Sequence, residues 1–270
     1  MSDLTRRRRL LKDKFRNRKR ILAAWTSLAH PSITEIFVKS PFDFVGIDIE
    51  HSTISQEQSQ RIIAASQAGG TLCLPRVATH NNEMMKRLLD SGADGLIVPM
   101  VSSPREVEQL IPWVKYPPNG TRGFGIARAQ GYGFDFDEYI KNWNETSSLI
   151  LQIESKEGVD HIEEILSYDQ VDGVMVGPYD ISGSLGVPGQ LGHPLVKKAA
   201  HKVIAACRKH HKACGTQVIE PNKTNVEEAF LTGYTFVVLA SDIFILWKWA
   251  ERMGEMMEDW RLYTRETHKL

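Results

Sequence analysis

The feature that most constrains the fold is a regular alternation of short apolar runs with amphipathic segments. Eight apolar runs begin near residues 20, 43, 71, 93, 148, 171, 213 and 235. Each is followed by a stretch whose apolar residues recur with the 3.6-residue period of a helix. Apolar strands that alternate with helices are typical of a parallel sheet covered by helices. Eight such units predict an α/β protein with a (β/α)₈ TIM barrel, formed as a single domain over 1–270.

The first 20 residues carry ten Lys or Arg against Asp3 and Asp13, and the rest of the chain is net acidic. We interpret 1–20 as a basic N-terminal arm or a solvated leading helix; an arm for RNA or anionic lipid is the weaker alternative. The acidic remainder predicts no nucleic-acid partner. The longest apolar stretches are far shorter than the roughly 18 residues of a membrane span, so no membrane partner is expected.

The cysteines number three, at Cys73, Cys207 and Cys214. An odd number in a long chain indicates reduced thiols and a cytoplasmic protein. The stretch "CRKHHKAC" has spacings reminiscent of a zinc site. A helix end followed by a strand explains it better, and we do not favour zinc there.

One long loop, 116–134, is followed by further units of the same kind, so no linker divides the chain. Its "GFGIAR" resembles a dinucleotide-binding fingerprint, but Arg128 stands at the third glycine position and no strand leads into it. We interpret 116–134 as an active-site loop. Arg122 or Arg128 then contacts substrate or an adjacent subunit, and plain surface arginines are the equal alternative.

Polar side chains end several of the predicted strands, at the rim where active sites of such barrels lie. They are Asp48, Glu50 and His51 after the second strand, Arg76 after the third, Gln152 and Glu154 on the fifth, and Asp180 after the sixth. In "LILQIE", strand parity places Ile150, Gln152 and Glu154 on the inner face. Leu149, Leu151 and Ile153 then face the helices.

A carboxylate inside a barrel is unfavourable unless it is paired or binds a cation. Glu154 and Asp180 follow adjacent strands, so their carboxylates can converge and suit a hard divalent ion such as Mg²⁺ or Mn²⁺. The alternative is that each caps a helix or forms a salt bridge, as acids at such turns often do.

The chain resembles the HpcH/HpaI aldolases, also called the citrate lyase-like, class II pyruvate aldolases. The similarity runs through the blocks "FDFVGIDIEH", "LPRV", "LLDSGADGLIVPMV", "PPNGTRGFGIARA", "LQIESKEGV" and "VDGVMVGPYDISGSLGVPG". The resemblance implies a homo-oligomer, commonly a hexamer that exchanges a terminal helix. It also implies a divalent metal cofactor (Mg²⁺, Mn²⁺ or Co²⁺) and small-molecule partners, a 2-oxo acid and an aldehyde. The implied activity is that of a class II aldehyde-lyase, cleaving a 4-hydroxy-2-oxo acid such as a 2-keto-3-deoxy sugar acid to pyruvate and an aldehyde.

The resemblance also implies roles for individual residues. Glu154 and Asp180 are the implied metal ligands, and Gln152 neighbours the metal-bound ligands. Arg76 contacts the ketone oxygen, and His51 with Asp48 forms an acid/base pair. Asp90 reaches a neighbouring subunit's site. The turn Gly177–Asp180 presents N–H groups to the substrate carboxylate. Tyr179 departs from the small residue expected in sugar-acid aldolases, which predicts an altered pocket.

Within that assignment, Asp48 is expected to orient the His51 ring, which removes the C4 hydroxyl proton. Three alternatives remain open. A Schiff-base aldolase would need an inward lysine, for which Lys156 is the nearest candidate. A related enzyme could form or decarboxylate an oxaloacetate-derived enolate. A catalytically silent barrel partner could keep the fold, although the complete set of rim residues argues against it.

Overall fold

Eight parallel strands form a closed barrel in the computed structural model, which describes residues 2–267. They are β1 Ile21–Thr26, β2 Phe44–Asp48, β3 Leu72–Arg76, β4 Gly95–Val98, β5 Ser148–Ile153, β6 Gly173–Val176, β7 Ala213–Val218 and β8 Phe236–Leu239. Each strand pairs with its neighbour in sequence, and β8 pairs with β1. The predicted (β/α)₈ barrel is confirmed.

Helices lie between the strands and at both ends of the chain. They are α1 Asp3–Arg16, α2 Pro31–Phe37, α3 Gln56–Ala68, α4 Asn82–Asp90, α5 Pro104–Val114, α6 Phe136–Thr146, α7 Lys156–Asp160, α8 Ile162–Ile165, α9 Pro178–Ser184, α10 Pro194–Lys209, α11 Lys223–Thr232 and α12 Asp242–Thr267. Capping boxes begin α3 at Ser55 and α5 at Ser103. The long loop contains a 3₁₀ turn, Arg128–Gly133.

Side chains alternate between the two faces of each strand, so the protein has one apolar core inside the barrel and another between the strands and the helices. Ile150 packs inside the barrel with residues such as Ile97 and Met175. Leu149, Leu151 and Ile153 pack outside, against the helices. The inward and outward faces predicted for β5 are therefore confirmed, and Gln152 and Glu154 lie on the inner face with Ile150.

Helix α1 closes the N-terminal end of the barrel. Phe15 is fully buried, with its ring centroid 5.7 Å from that of Phe236 inside the barrel. Arg8 Nε lies 2.6 Å from Asp94, and Lys12 Nζ lies 2.8 Å from Asp172. The expectation of a solvated helix is wrong for this face, because aspartates that precede β4 and β6 neutralise its buried cations. The opposite rim of the barrel is left for the site.

The cysteines Cys73, Cys207 and Cys214 are free and buried. His210, from the candidate zinc stretch, pairs instead with Glu163 at 2.6 Å. Within residues 2–267, no group of three or more His, Cys, Asp or Glu is placed to hold a metal ion. In the same range, no helix has both the length and the apolar character needed to cross a membrane.

Candidate active site

A cavity of about 450 Å³ opens at the C-terminal rim of the barrel. Its walls come from the ends of β1, β2, β3, β5, β6, β7 and β8 and from the segments that follow them. Seven of the predicted site residues line it: Asp48, His51, Arg76, Gln152, Glu154, Gly177 and Asp180. Tyr179 lines it as well. The structure thus brings together the residues that were predicted to lie at the rim of the barrel. Asp90, which was expected from the family resemblance, is not among them.

A row of polar contacts runs across the floor of the cavity. Arg76 Nη2 donates to Asp48 Oδ1 at 2.8 Å. On its other side, Arg76 Nη1 lies 3.4 Å from Gln152 Oε1. Gln152 Nε2 then donates to Glu154 Oε1 at 2.7 Å. The row links β2, β3 and β5, so these four side chains hold one another in position.

Arg76 is buried between an aromatic ring and two carboxylates. Its guanidinium carbon lies 5.2 Å from the centroid of the Trp25 ring, within cation–π range. Its Nη1 lies 3.1 Å from Glu50 Oε2, in addition to the bond with Asp48. The planar fork of an arginine suits several acceptors on different strands. A fixed positive charge is therefore held at the floor of the cavity.

Glu154 is a buried carboxylate with only neutral direct hydrogen-bond donors. Gln152 donates to one oxygen, and the backbone N–H of Met100 donates to the other at 2.9 Å. Burial, reinforced by the nearby Glu50 and Asp180 carboxylates, raises the pKa of Glu154 to about 7. Burial likewise raises the pKa of Glu50. This corner of the cavity carries more negative charge than its protein surroundings neutralise.

Gly177 lets the Glu154 side chain lie where it does. A Cβ at position 177 would come within 2.7 Å of Glu154 Cγ. Three residues later, Asp180 stands in the first turn of α9 on the same cavity wall. Two carboxylates with oxygen donors, one of them buried, fit a hard divalent cation. The residues present therefore fit the metal that the sequence predicted.

His51 does not make the expected ring contact with Asp48. Asp48 Oδ1 accepts a hydrogen bond from the backbone N–H of His51 at 3.0 Å and is also bound by Arg76. The imidazole is 71% exposed, and its Nε2 lies 3.7 Å from Glu50 Oε2. The expected side-chain pair of Asp48 and His51 is thus absent, because the tight turn after β2 places the amide, and not the ring, on Asp48.

The turn after β6 offers fewer amides than expected. The Gly177 N–H donates to Ile153 O at 3.0 Å within the sheet, and Pro178 has no N–H. The N–H groups of Tyr179 and Asp180 follow in the first turn of α9, where helical hydrogen bonds do not use them. Tyr179 is 65% exposed at the cavity mouth. An amide site in this turn would therefore consist of residues 179 and 180.

Asp90 lies at the opposite end of the barrel. It is the last residue of α4, which runs back from β3 toward the start of β4. Its carboxylate accepts from Arg122 Nη2 at 2.7 Å. Arg122 is buried, 4.7 Å and 4.8 Å from the ring centroids of Tyr116 and Trp143. Within one chain, Asp90 is therefore remote from the cavity.

Arg122 is not a plain surface arginine, because it is enclosed in an aromatic cluster, and it does not line the cavity of its own chain. A contact with an adjacent subunit stays a prediction. Arg128 donates to Gln67 Oε1 at 2.8 Å and to Ser91 O at 3.1 Å in the same chain. Lys156 is 64% exposed and pairs with Asp160 at 2.7 Å. Among the described residues, no lysine lines the cavity.

Two contributions were missed from the sequence, and the contact made by a third residue, Glu50, was not predicted. Trp25 stacks on Arg76 from β1, Met100 binds Glu154 through its backbone, and Glu50 contacts Arg76. The alternation of side chains along β1 predicts that Trp25 faces inward. Glu50 is part of the "GIDIEH" stretch, which had already been singled out. Met100 has a left-handed backbone, with φ 55°, which sequence patterns give no means of predicting.

This chain is similar in sequence and in structure to known proteins. The sequence model of the family described as HpcH/HpaI aldolase/citrate lyase matches residues 22–248. A 5-keto-4-deoxy-D-glucarate aldolase of Klebsiella pneumoniae is 30% identical over 234 residues, 87% of this chain and 91% of that protein. A solved HpcH/HpaI aldolase/citrate lyase family protein from Burkholderia cenocepacia superposes with a TM-score of 0.86 at 27% identity, covering 92% and 99% of the two chains. A solved citrate synthase, SbnG, gives a TM-score of 0.81 at 24% identity, covering 92% and 97%.

Proposed function

Because the chain belongs to the HpcH/HpaI aldolase/citrate lyase family, we propose that it cleaves the C3–C4 bond of a 4-hydroxy-2-oxo acid to pyruvate and an aldehyde. The observation that carries this proposal is the buried corner where Arg76, Gln152 and Glu154 meet Asp180 at the barrel rim. An enzyme that makes an enolate needs positive charge beside the developing oxyanion.

Glu154 and Asp180 would hold a divalent cation, Mg²⁺, Mn²⁺ or Co²⁺, because they supply hard oxygen ligands. When bound, such an ion supplies Lewis-acid polarisation of the substrate's 2-oxo group. The raised pKa of Glu154 supports this assignment, since a cation would stabilise the buried charge that burial disfavours.

Arg76 stabilises the enolate oxygen. Its guanidinium is fixed by Asp48 and Trp25, so it is already oriented before substrate binds. A preorganised donor needs no rearrangement as charge develops on the oxygen. Gln152, bonded between Arg76 and Glu154, keeps the two groups apart and orients them. The N–H groups of Tyr179 and Asp180 bind the substrate carboxylate at the adjacent wall.

His51 acts as the base. Its exposed ring accepts the proton of the C4 hydroxyl, the O–H electron pair forms the aldehyde carbonyl, and the C3–C4 bonding pair passes into the pyruvate enolate. The enolate then takes a proton at C3 to give pyruvate. Glu50, 3.7 Å from the His51 Nε2, is placed to stabilise the imidazolium, a role that the sequence assigned to Asp48.

The protein acts as a homo-oligomer. Helix α12 exposes Trp247, Trp249 and Trp260, each at least half exposed, on one chain. Large apolar surfaces of this kind mark contacts between subunits. The family resemblance implies an assembly that is often a hexamer. It also implies that Asp90 of a neighbouring subunit would reach this site.

Removal of metal tests the proposal. Protein treated with EDTA is expected to lose cleavage of a 4-hydroxy-2-oxo acid, and Mg²⁺, Mn²⁺ or Co²⁺ is expected to restore it. Glu154→Gln should keep the fold, because the amide replaces a carboxylate that burial disfavours, and should not regain activity with metal. Full activity of metal-free wild-type protein would contradict the mechanism.

A further inference from the structure

The wall of the cavity has two chemically distinct halves. The polar groups of the proposed mechanism stand at the ends of β2, β3 and β5 and on the segments that follow β2, β5 and β6. The segments that follow β6, β7 and β8 contribute apolar side chains to the mouth: Leu191, Ile219, Ile243 and Phe244. Three of these are about two-fifths exposed, at 42% for Leu191, 44% for Ile219 and 41% for Ile243. They offer apolar surface to whatever enters the cavity.

The mechanism fixes which part of the substrate meets this apolar half. The 2-oxo acid end is held by Arg76 and the Glu154 and Asp180 corner, and the C4 hydroxyl lies at His51. The part of the wall left for the substituent on C4 is the one across the mouth from β3 and β5. Because the barrel is closed, the strand ends on that side are those of β7, β8 and β1.

Positive charge is absent from that side of the mouth. Among the described residues that line the cavity, the only cationic or titratable basic side chains are Arg76, at the 2-oxo acid end, and His51, which meets the C4 hydroxyl from the segment after β2. Polar groups nearby each make at least one hydrogen bond within the protein. Gln217 Nε2 lies 3.3 Å from Ala240 O, and Ser241 Oγ accepts from Phe244 N at 3.3 Å. The buried Asp242 carboxylate accepts from Thr26 and from the backbone of Ser27.

We propose that the aldehyde half of the substrate is an uncharged hydrocarbon chain or ring, without a second carboxylate. A carboxylate placed against Leu191, Ile219 and Ile243 would lose water without gaining a cation. This inference rests on the proposed function and narrows it. It separates the chain from the Klebsiella relative, whose name denotes a substrate derived from a sugar diacid, and from the sugar-acid substrate expected from the sequence.

Two aldehydes of equal length test the preference. Butanal and succinic semialdehyde differ only in a terminal methyl group against a carboxylate. In the condensation with pyruvate, wild-type protein with Mg²⁺ is expected to show kcat/KM at least about tenfold higher for butanal, because the carboxylate has no partner. Equal values, or a preference for succinic semialdehyde, would overturn the inference.

A charge placed in the apolar half should change that preference. Ile243→Arg is expected to shift the kcat/KM ratio toward succinic semialdehyde by about tenfold or more, by supplying the missing cation. Ile245→Arg is the matched control: position 245 is also on α12 and is 49% exposed, but it does not line the cavity. It should keep the wild-type ratio. The same shift in both variants, or in neither, would contradict the placement of the aldehyde.

Oxaloacetate decarboxylation separates this inference from the proposed function, because it forms the same enolate without any aldehyde. Wild-type protein and Ile245→Arg should decarboxylate oxaloacetate at similar rates with Mg²⁺. If decarboxylation occurs but butanal is not preferred, only the inference fails. If wild-type protein neither decarboxylates oxaloacetate nor condenses pyruvate with either aldehyde, the proposed function fails, and the inference with it.

Discussion

At the scale of single residues, Arg76 organises the site more than any other side chain. It contacts four side chains at the ends of three other strands: Trp25, Asp48, Glu50 and Gln152. A lysine could not reproduce these contacts, because a point charge lacks the planar fork that meets several acceptors at once. The guanidinium is therefore both the electrophile of the proposed mechanism and the group that fixes the floor of the cavity.

The base assigned to His51 can be tested by comparing two reactions. His51→Ala should slow retro-aldol cleavage by roughly 10²- to 10⁴-fold, the usual contribution of a positioned general base. Oxaloacetate decarboxylation removes no hydroxyl proton and should be far less affected. Both rates are to be measured on one metal-loaded preparation, with Arg76→Ala as the variant that should damage both. Equal losses of the two activities in His51→Ala would assign it to binding instead.

Much of the candidate site could be predicted at this scale. Alternation along a strand places Gln152 and Glu154 inward, and the position of each strand end places His51, Arg76 and Asp180 at one rim. The geometry within the turn after β2 could not be predicted. Whether Asp48 meets the ring or the amide of His51 depends on backbone angles in "DIEH", and no residue pattern encodes them.

At the scale of elements, α1 shows why a basic N-terminal segment need not bind a polyanion. Its cations lie against aspartates that precede β4 and β6 at the closed end of the barrel. The sequence revealed the charge of this helix but not the distant aspartates that neutralise it. The periodicity of the barrel helices was more informative, because most of them bury one face against the strands. The break at His161 between α7 and α8 and the short α9 were not foreseen, since both depend on local turns.

Two substitutions in α1 separate buried from exposed ion pairs. Lys12→Met should lower the free energy of unfolding by about 3–5 kcal/mol, because it removes the nearest cation from the buried Asp172 carboxylate and leaves only Arg16 at 3.9 Å. Arg6→Ala removes an exposed pair with Asp3 and should change the free energy of unfolding far less. Urea unfolding measures both. Similar small losses in the two variants would show that α1 is not held by its buried cations.

At the scale of the whole molecule, the apolar surface of α12 and the distance of Asp90 from the cavity point the same way. One chain leaves tryptophans of α12 exposed and places Asp90 at the wrong end of its own barrel for catalysis. Assembly with further copies would cover the tryptophans of α12 and would bring Asp90 to the active site of a neighbouring subunit. The sequence of a single chain carries no geometry between copies, so this level of organisation was predicted by resemblance only.

Complementation tests the role of Asp90 in a neighbour's site. Asp90→Asn and His51→Ala should each impair cleavage when assembled alone. Co-expressed, they should regain part of the activity, because some sites then combine an intact His51 with an intact Asp90 from another chain. The control for mixing is His51→Ala co-expressed with Arg76→Ala. This pair should regain no activity, because exchange of Asp90 between subunits cannot repair either site. Failure to regain activity, or a monomer at micromolar concentration by light scattering, would contradict the assignment.

The central claim is that the corner formed by Arg76, Glu154 and Asp180 makes a pyruvate enolate with the help of a divalent ion. Proton exchange at the methyl group of pyruvate in D₂O, followed by ¹H NMR, measures this enolate without any aldehyde. With Mg²⁺, wild-type protein should catalyse the exchange; EDTA should abolish it, and Arg76→Ala should slow it by about 10²-fold or more. Exchange at the wild-type rate in metal-free protein or in Arg76→Ala would contradict the claim.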